Sequence, residues 1–338
     1  MSGKLLLLAL AAGWVGSGAW AGDAIPVRAP AHLSATGLYD LRILPYAPQY
    51  PLWSDGAAKA RWIYLPERAT IDVSDAAAWS FPIGTKFWKE FSFGGRKVET
   101  RMLWRAGAEE WIFATYLWDE LQTDAVLAPQ DGVPDFVEIA PSKHHSIPAV
   151  SDCLTCHAAG RTPVLGFNML QLSDDRDPLA PHAEPLGPGM VTLSSLEAEA
   201  RLDPARPEWV TDPPRIQAVS PRERAARGYL AANCGGCHNP EGPLARLGLA
   251  LSHTPGALAT AENIAGRFRI PGAELGSTRR LAPGDPAHSS ILYRMRSRRP
   301  SSQMPPLGTV IADDEAAGLV ERWIADDLSP AARGDGSR

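Results

Sequence analysis

The 338-residue chain has no surplus of positive charge; its formal net charge is −5. Surfaces that neutralise phosphates need clustered excess Lys and Arg, so nucleic acid is not an expected partner. It has no P-loop, no dinucleotide fingerprint and no nucleophile–base pair, and its Asp and Glu are scattered. Phosphoryl transfer, nicotinamide chemistry and paired-carboxylate hydrolysis therefore lack their residues, and no catalytic residue is assigned. Cysteine is scarce as well, with four in all and none to spare.

Residues 1–21 are set apart from the fold. Lys4 begins them with positive charge, Leu5 to Ala12 is an apolar run, and Ala19-Trp20-Ala21 offers a small-x-small cleavage site. This is the pattern of a secretory signal peptide. As a membrane anchor the run to Ala21 is short, broken by Gly13, Gly16 and Gly18, and without a basic stop-transfer flank. No cysteine at the cleavage site provides for a lipid anchor. The expectation is a periplasmic chain that starts near Gly22 and has no membrane span.

The four cysteines fall into two copies of one motif, Cys153-Leu154-Thr155-Cys156-His157 and Cys234-Gly235-Gly236-Cys237-His238. Cys-x-x-Cys-His attaches haem: two thiols add across two vinyl groups, and the adjacent histidine reaches the iron. Disulfides would make an odd framework of two tight loops, each followed by His. A zinc site needs no such Cys–His adjacency twice. A thioredoxin-like pair needs a βαβ context, which is absent. The expected cofactors are two covalent haems c, on Cys153, Cys156, Cys234 and Cys237, with His157 and His238 as iron ligands.

From residue 215 onward the pattern is helical. Ser220-Pro221-Arg222-Glu223 is a capped helix start, and the helix, with Ala226, Tyr229 and Leu230 apolar, runs into Cys234. Asp285-Pro286 starts a second helix, with Ile291, Leu292 and Met295 apolar. A last helix carries Asp313, Asp314 and Glu315 in its first turn, Ala316, Leu319, Val320, Trp323 and Ile324 at helical spacing, and Pro330 as its stop. Between these two lies Gln303-Met304-Pro305-Pro306-Leu307-Gly308, a stiff loop that can present the Met304 thioether to an iron. Together these features resemble a class I cytochrome c domain. The resemblance implies that the first and last helices cross, with Tyr229 near Trp323.

The region around the first motif is shorter. Pro163 and Pro243 follow the two motif histidines closely, and each precedes a Leu-rich stretch ending in Leu-x-Leu-Ser or Leu-Ala-Leu-Ser, a weak internal repeat. No distal ligand stands out for the first haem. Met169, Met190 and His182 are candidates, His144 and His145 lie close upstream, and an open sixth position is the alternative.

Seven tryptophans fall between Trp53 and Trp118. Phe87, Phe91 and Phe93, then Gly94-Gly95, then alternating Val98, Thr100, Met102 and Trp104 read as a hairpin. Trp111 to Trp118 is apolar on both faces, as in a central strand. Arg61 to Leu65 and Val133 to Ala140 add strands to a small antiparallel sheet or sandwich, in which the tryptophans are expected to form a core of large rings; the alternative is an aromatic patch for a sugar, a quinone or a protein partner. Tyr50-Pro51-Leu52-Trp53-Ser54-Asp55-Gly56 is a turn with polar tips.

The Pro-Leu-Trp-Ser-Asp-Gly segment at Pro51–Gly56 and the Phe-Pro-x-Gly-Thr element at Phe81–Thr85, with the two motifs, resemble a family of bacterial diheme c-type cytochromes with a tryptophan-rich N-terminal domain. That resemblance implies two haem attachments but no particular reaction. The expected fold class is α+β: signal peptide 1–21, β-rich domain 22–142, first haem region 143–214, cytochrome c-like domain 215–330 and tail 331–338. The function expected is electron carriage between redox partner proteins, alone or as a subunit of a larger oxidoreductase. The alternatives are a diheme enzyme such as a peroxidase, with an open first haem, and a binding module in which the haems only relay. The arginines Arg279, Arg280, Arg294, Arg296, Arg298 and Arg299 either edge the second haem crevice, where they would neutralise propionates or steer an acidic partner, or form a solvated helix face.

Overall fold

The computed structural model describes residues 28–39, 42–253, 267–268 and 278–329. The expected signal peptide, the helix stop at Pro330 and the 331–338 tail lie outside the described residues. Among those described, no helix is long and apolar enough to cross a membrane.

A six-stranded antiparallel sheet forms the first layer, in the order β1 (Leu44–Pro45), β2 (Ala58–Tyr64), β4 (Lys86–Phe93), β5 (Arg96–Arg105), β6 (Trp111–Trp118), β7 (Ala125–Leu127). β3 (Ile71–Asp72) stands outside it. The expected hairpin is β4–β5: Gly94 and Gly95 take φ of 56° and 80°, which a two-residue turn between right-twisted strands requires. Alternation sends the strands' side chains to opposite faces. On one face Trp88, Met102, Ala114, Tyr116 and Trp118 pack under Leu33 and Leu38. On the other, Ile63, Phe87, Leu103 and Phe113 pack with Phe167, Leu172, Leu193, Leu196 and Trp209. Cover on both sides explains why β6 is apolar throughout.

Trp79, Trp88 and Trp118 are core residues. Trp62, Trp104 and Trp111 are half-buried against the same clusters. Among the described residues, no second large sheet packs on it as in a sandwich. The Val133–Ala140 strand, β8, pairs only with β9 (Lys143–Ile147) in a largely exposed ribbon. Pro134 has no N–H for a ladder, and Asp135 turns to φ 48°, so the segment cannot join the main sheet.

The boundary expected at residue 142 is not a core boundary. β9 begins at Lys143, and residues 164–209 supply half of the core on the sheet's inner face. β10 (Leu202–Asp203) pairs in parallel with β3. Within this region lie α1 (Val150–His157), α2 (Leu193–Ala198) and α3 (Glu208–Thr211).

The third part has its own core. α4 (Pro221–Asn233) starts where its cap requires: Ser220 accepts from the Glu223 N–H, and Pro221 is the first helical residue. A 3₁₀ turn capped by Asp285 leads into α5 (Ser290–Arg296). α6 (Asp314–Arg322) runs on into a π turn, Trp323–Asp327, and is capped by Asp313, which accepts from the Ala316 N–H. Tyr229, Leu230, Leu292, Met295, Leu319, Val320, Trp323 and Ile324 form one buried cluster, so α4 packs on the last helix around both aromatics. The fold class is α+β with an antiparallel sheet.

Candidate functional site: two adjacent Cys-x-x-Cys-His motifs

The two motifs come from different elements and meet. The first occupies α1, with Asp152 holding the Ala149 N–H at its start. The second begins at the C-cap of α4, where Cys234 closes the helix and Cys237 and His238 turn back onto the Cys234 carbonyl. The Sγ atoms of Cys156 and Cys237 lie 3.9 Å apart, in contact but unbonded, and all four cysteines are free. Asn239 ties the segments together by donating to the Ala159, Gly235 and Gly236 carbonyls at 3.3, 3.2 and 2.9 Å. Arg161 bridges to Glu241 at 3.5 Å. The contact between the two thiols lowers the pKa of Cys237 and raises that of Cys156, and burial pushes Cys234 up to about 12.

The motif histidines differ. His157 Nδ1 lies 2.5 Å from the Pro163 carbonyl, an arrangement that fixes the ring and leaves Nε2 as the free nitrogen. Burial lowers its pKa, with Lys89 and Arg101 adding to the shift against the Pro163 hydrogen bond, and the Phe113 ring meets its edge with centroids 5.3 Å apart. His238 is buried, and its Nδ1 has no hydrogen-bond partner. Burial also lowers the His238 pKa, helped by Arg294 and Arg280. The sequence parallel between Pro163 and Pro243 is thus realised as a ring-orienting bond at the first motif alone. Among the described residues, no three His, Cys, Asp or Glu side chains form a group that could hold a bare metal ion. Two pairs of unbridged thiols, one beside the half-buried His157 and one beside the buried His238, fit a group attached through carbon–sulfur bonds better than a zinc ion.

Met304 is half-buried, and its N–H donates to the Arg294 carbonyl at 3.0 Å. The loop after it is fastened by the Pro51–Gly56 segment, a role its sequence did not signal. Asp55 Oδ1 accepts from the Val310 and Ile311 N–H groups, both at 2.8 Å. Trp53 Nε1 donates to the Ile311 carbonyl at 3.1 Å, and the Trp53 N–H donates to Asn233 Oδ1 at the end of α4. The preceding Tyr50 lies flat against Gly228; a Cβ there would sit 2.1 Å from its ring. Tyr50 also donates to Asp177 at 2.9 Å.

The candidates for a distal ligand at the first motif, His144 apart, are engaged elsewhere. His182 is 2.9 Å from Asp313, the cap of α6, and packs on Trp53. The sulfur of Met190 accepts from the Gly187 N–H, and Met169 packs against the inner core. His145 is buried against Glu99 at 2.9 Å, and His144 lies on the β8–β9 ribbon. Of the arginine cluster, Arg298 bonds the Met295 carbonyl and Arg280 the Leu247 and Gly248 carbonyls. Arg296 pairs with Glu321 at 2.7 Å. These side chains hold loops of the third part together.

A second cluster sits beside the first motif. Glu99 is fully buried between Arg101, at 2.5 Å, and His145. Burial pushes its carboxyl up, but Arg101 and His145 outweigh this and hold it at about 2. Lys89, in register with Arg101, is pushed well below the usual lysine range by burial and by Arg61, Lys59 and Arg101. The sequence hinted at this cluster only through alternation along β4 and β5.

No protein-family model matches the chain, and no curated protein or solved structure is significantly similar to it.

Proposed function

We propose that the chain is an exported diheme c-type cytochrome that carries electrons between redox partner proteins, alone or as the electron-transfer subunit of a larger oxidoreductase. The observation that carries this reading is the meeting of the two Cys-x-x-Cys-His motifs, with Cys156 and Cys237 in sulfur contact and all four thiols unbridged. Cys153, Cys156 and His157 would hold one haem, and Cys234, Cys237, His238 and Met304 the other. Haem bound there supplies one-electron transfer. The Pro163 carbonyl orients His157 with Nε2 forward, and Asp55 with Trp53 fixes the loop that carries Met304. Asn239 and Arg161 keep the two attachment segments from separating, which favours electron passage between them.

A second reading draws on a specific observation. His182, Met190, Met169 and His145 all have other partners, which favours an open position at the first haem and hence a diheme enzyme such as a peroxidase. Spin state separates the two. The carrier reading expects two low-spin irons in the oxidised protein and a spectrum that cyanide leaves unchanged. One high-spin iron that takes up cyanide would replace the carrier with the enzyme.

A further inference from the structure

The inner face of the main sheet, beside the first motif, gathers more basic side chains than carboxylates that pair with them. Arg61, Lys89 and Arg101 are direct register neighbours on β2, β4 and β5, and Lys59 stands two residues before Arg61 on the same face. Two carboxylates form ion pairs with these four basic side chains, Glu184 with Arg61 at 2.8 Å and Glu99 with Arg101, while Asp313 acts on Lys59 from farther off. Like charges directly opposite one another on neighbouring strands repel, and buried charge without a counter-charge is strongly disfavoured. The Arg61 side chain is 4% exposed, yet its Nη2 has no hydrogen-bond partner. Lys89 and Arg101 both lie over the fully buried Phe91 ring, at 4.9 and 4.4 Å from its centre, so an apolar floor lies under the charges. The row adjoins the first motif: Phe113, on the same face, meets the His157 ring, and the charge of Arg101 is felt at Cys153 and Cys156.

We infer that the Lys59–Arg61–Lys89–Arg101 row is an anion seat beside the first motif, made for a carboxylate or a compact oxoanion. Guanidinium forks and an ammonium supply convergent charge-assisted donors, which is the chemistry these anions select. Two sources share that chemistry: the propionates of a haem attached at Cys153 and Cys156, which rests on the reading above, and a free oxoanion, which does not.

The test uses the full mature protein from a haem-competent bacterium, with inorganic phosphate as the probe at constant ionic strength. It compares the natural chain with Lys89→Met and Lys89→Arg, and with Lys59→Gln at the less buried end of the row should Lys89→Met not fold. If propionates occupy the seat, removing a cation favours the ferric state. The reduced-to-oxidised ratio of the first haem at fixed poise then falls about tenfold in Lys89→Met, about 59 mV for a one-electron couple. Lys89→Arg restores it, and phosphate changes nothing. If the anion is free, phosphate raises the unfolding temperature of the natural chain saturably, and the cation-deleted variant loses this response. Absence of both effects, or a potential shift that Lys89→Arg does not restore, overturns the seat. A chain whose mass shows no covalent haem refutes the proposed function instead, and the phosphate response alone then decides the seat.

Discussion

Glu99 shows how one buried side chain couples this fold to pH. Its carboxyl sits between Arg101 and His145 and is held at about 2, below the ordinary 4.5. A carboxyl depressed by folding stabilises the native state above its unfolded pKa, and that contribution is lost as pH falls through the folded value. The loss attributable to Glu99 therefore falls between about pH 4.5 and pH 2. Glu99→Gln should lower stability at pH 7 by about 1–3 kcal/mol, since it leaves the half-buried Arg101 facing a neutral amide. It should also flatten the acid limb, as read from urea midpoints of both chains at a series of pH values. A variant whose acid limb ran parallel to that of the natural chain would remove Glu99 from this role.

At the scale of elements, the Pro51–Gly56 segment reaches out of the β-rich part and grips the loop that follows Met304. Two backbone N–H groups end on one carboxylate oxygen. Asp55→Ala leaves both without that acceptor, at a cost of about 1–3 kcal/mol for each one that stays buried and unpaired. The expected result is a lower unfolding midpoint and, under the proposed haem ligation by Met304, an earlier loss of the methionine–iron band when the ferric protein is titrated to alkaline pH. An unchanged band would separate Asp55 from Met304. Much of this architecture was legible from local patterns. The β4–β5 hairpin followed from alternation and Gly94-Gly95, the start of α4 from Ser220-Pro221, and the start of α6 from its acidic residues, although Asp313, expected in the first turn, is the cap. The clamp was not legible, because its contacts join Asp55 to Val310 and Ile311 across most of the chain, and no local periodicity encodes such a pairing. The β8 ribbon was read as a sheet strand because its composition fits one, while Pro134 and the backbone turn at Asp135 decide against it.

For the molecule as a whole, the two large clusters divide after residue 209 with no core boundary at 142, and a small cluster of Tyr50, Leu170, Ala180 and Ile216 spans residue 214. Phe87, Leu103 and Phe113 share one core with Phe167, Leu193 and Trp209, whereas the helices after residue 220 enclose a separate cluster. A fragment ending at residue 142 would expose the inner face of its sheet to water and should not unfold cooperatively, while one ending at 214 should; circular dichroism melts of the two distinguish these outcomes. The motifs themselves were fully legible, since Cys-x-x-Cys-His is a local spacing, but their meeting across the boundary was not. That meeting is the basis of the electron-transfer account, which requires a haem on each Cys pair. Intact mass spectrometry of the mature protein, purified under denaturing acid from a haem-competent bacterium, addresses this directly. The account predicts a mass exceeding the polypeptide by two haems, falling to one in Cys153→Ala/Cys156→Ala and in Cys234→Ala/Cys237→Ala. A mass equal to the bare polypeptide would contradict it.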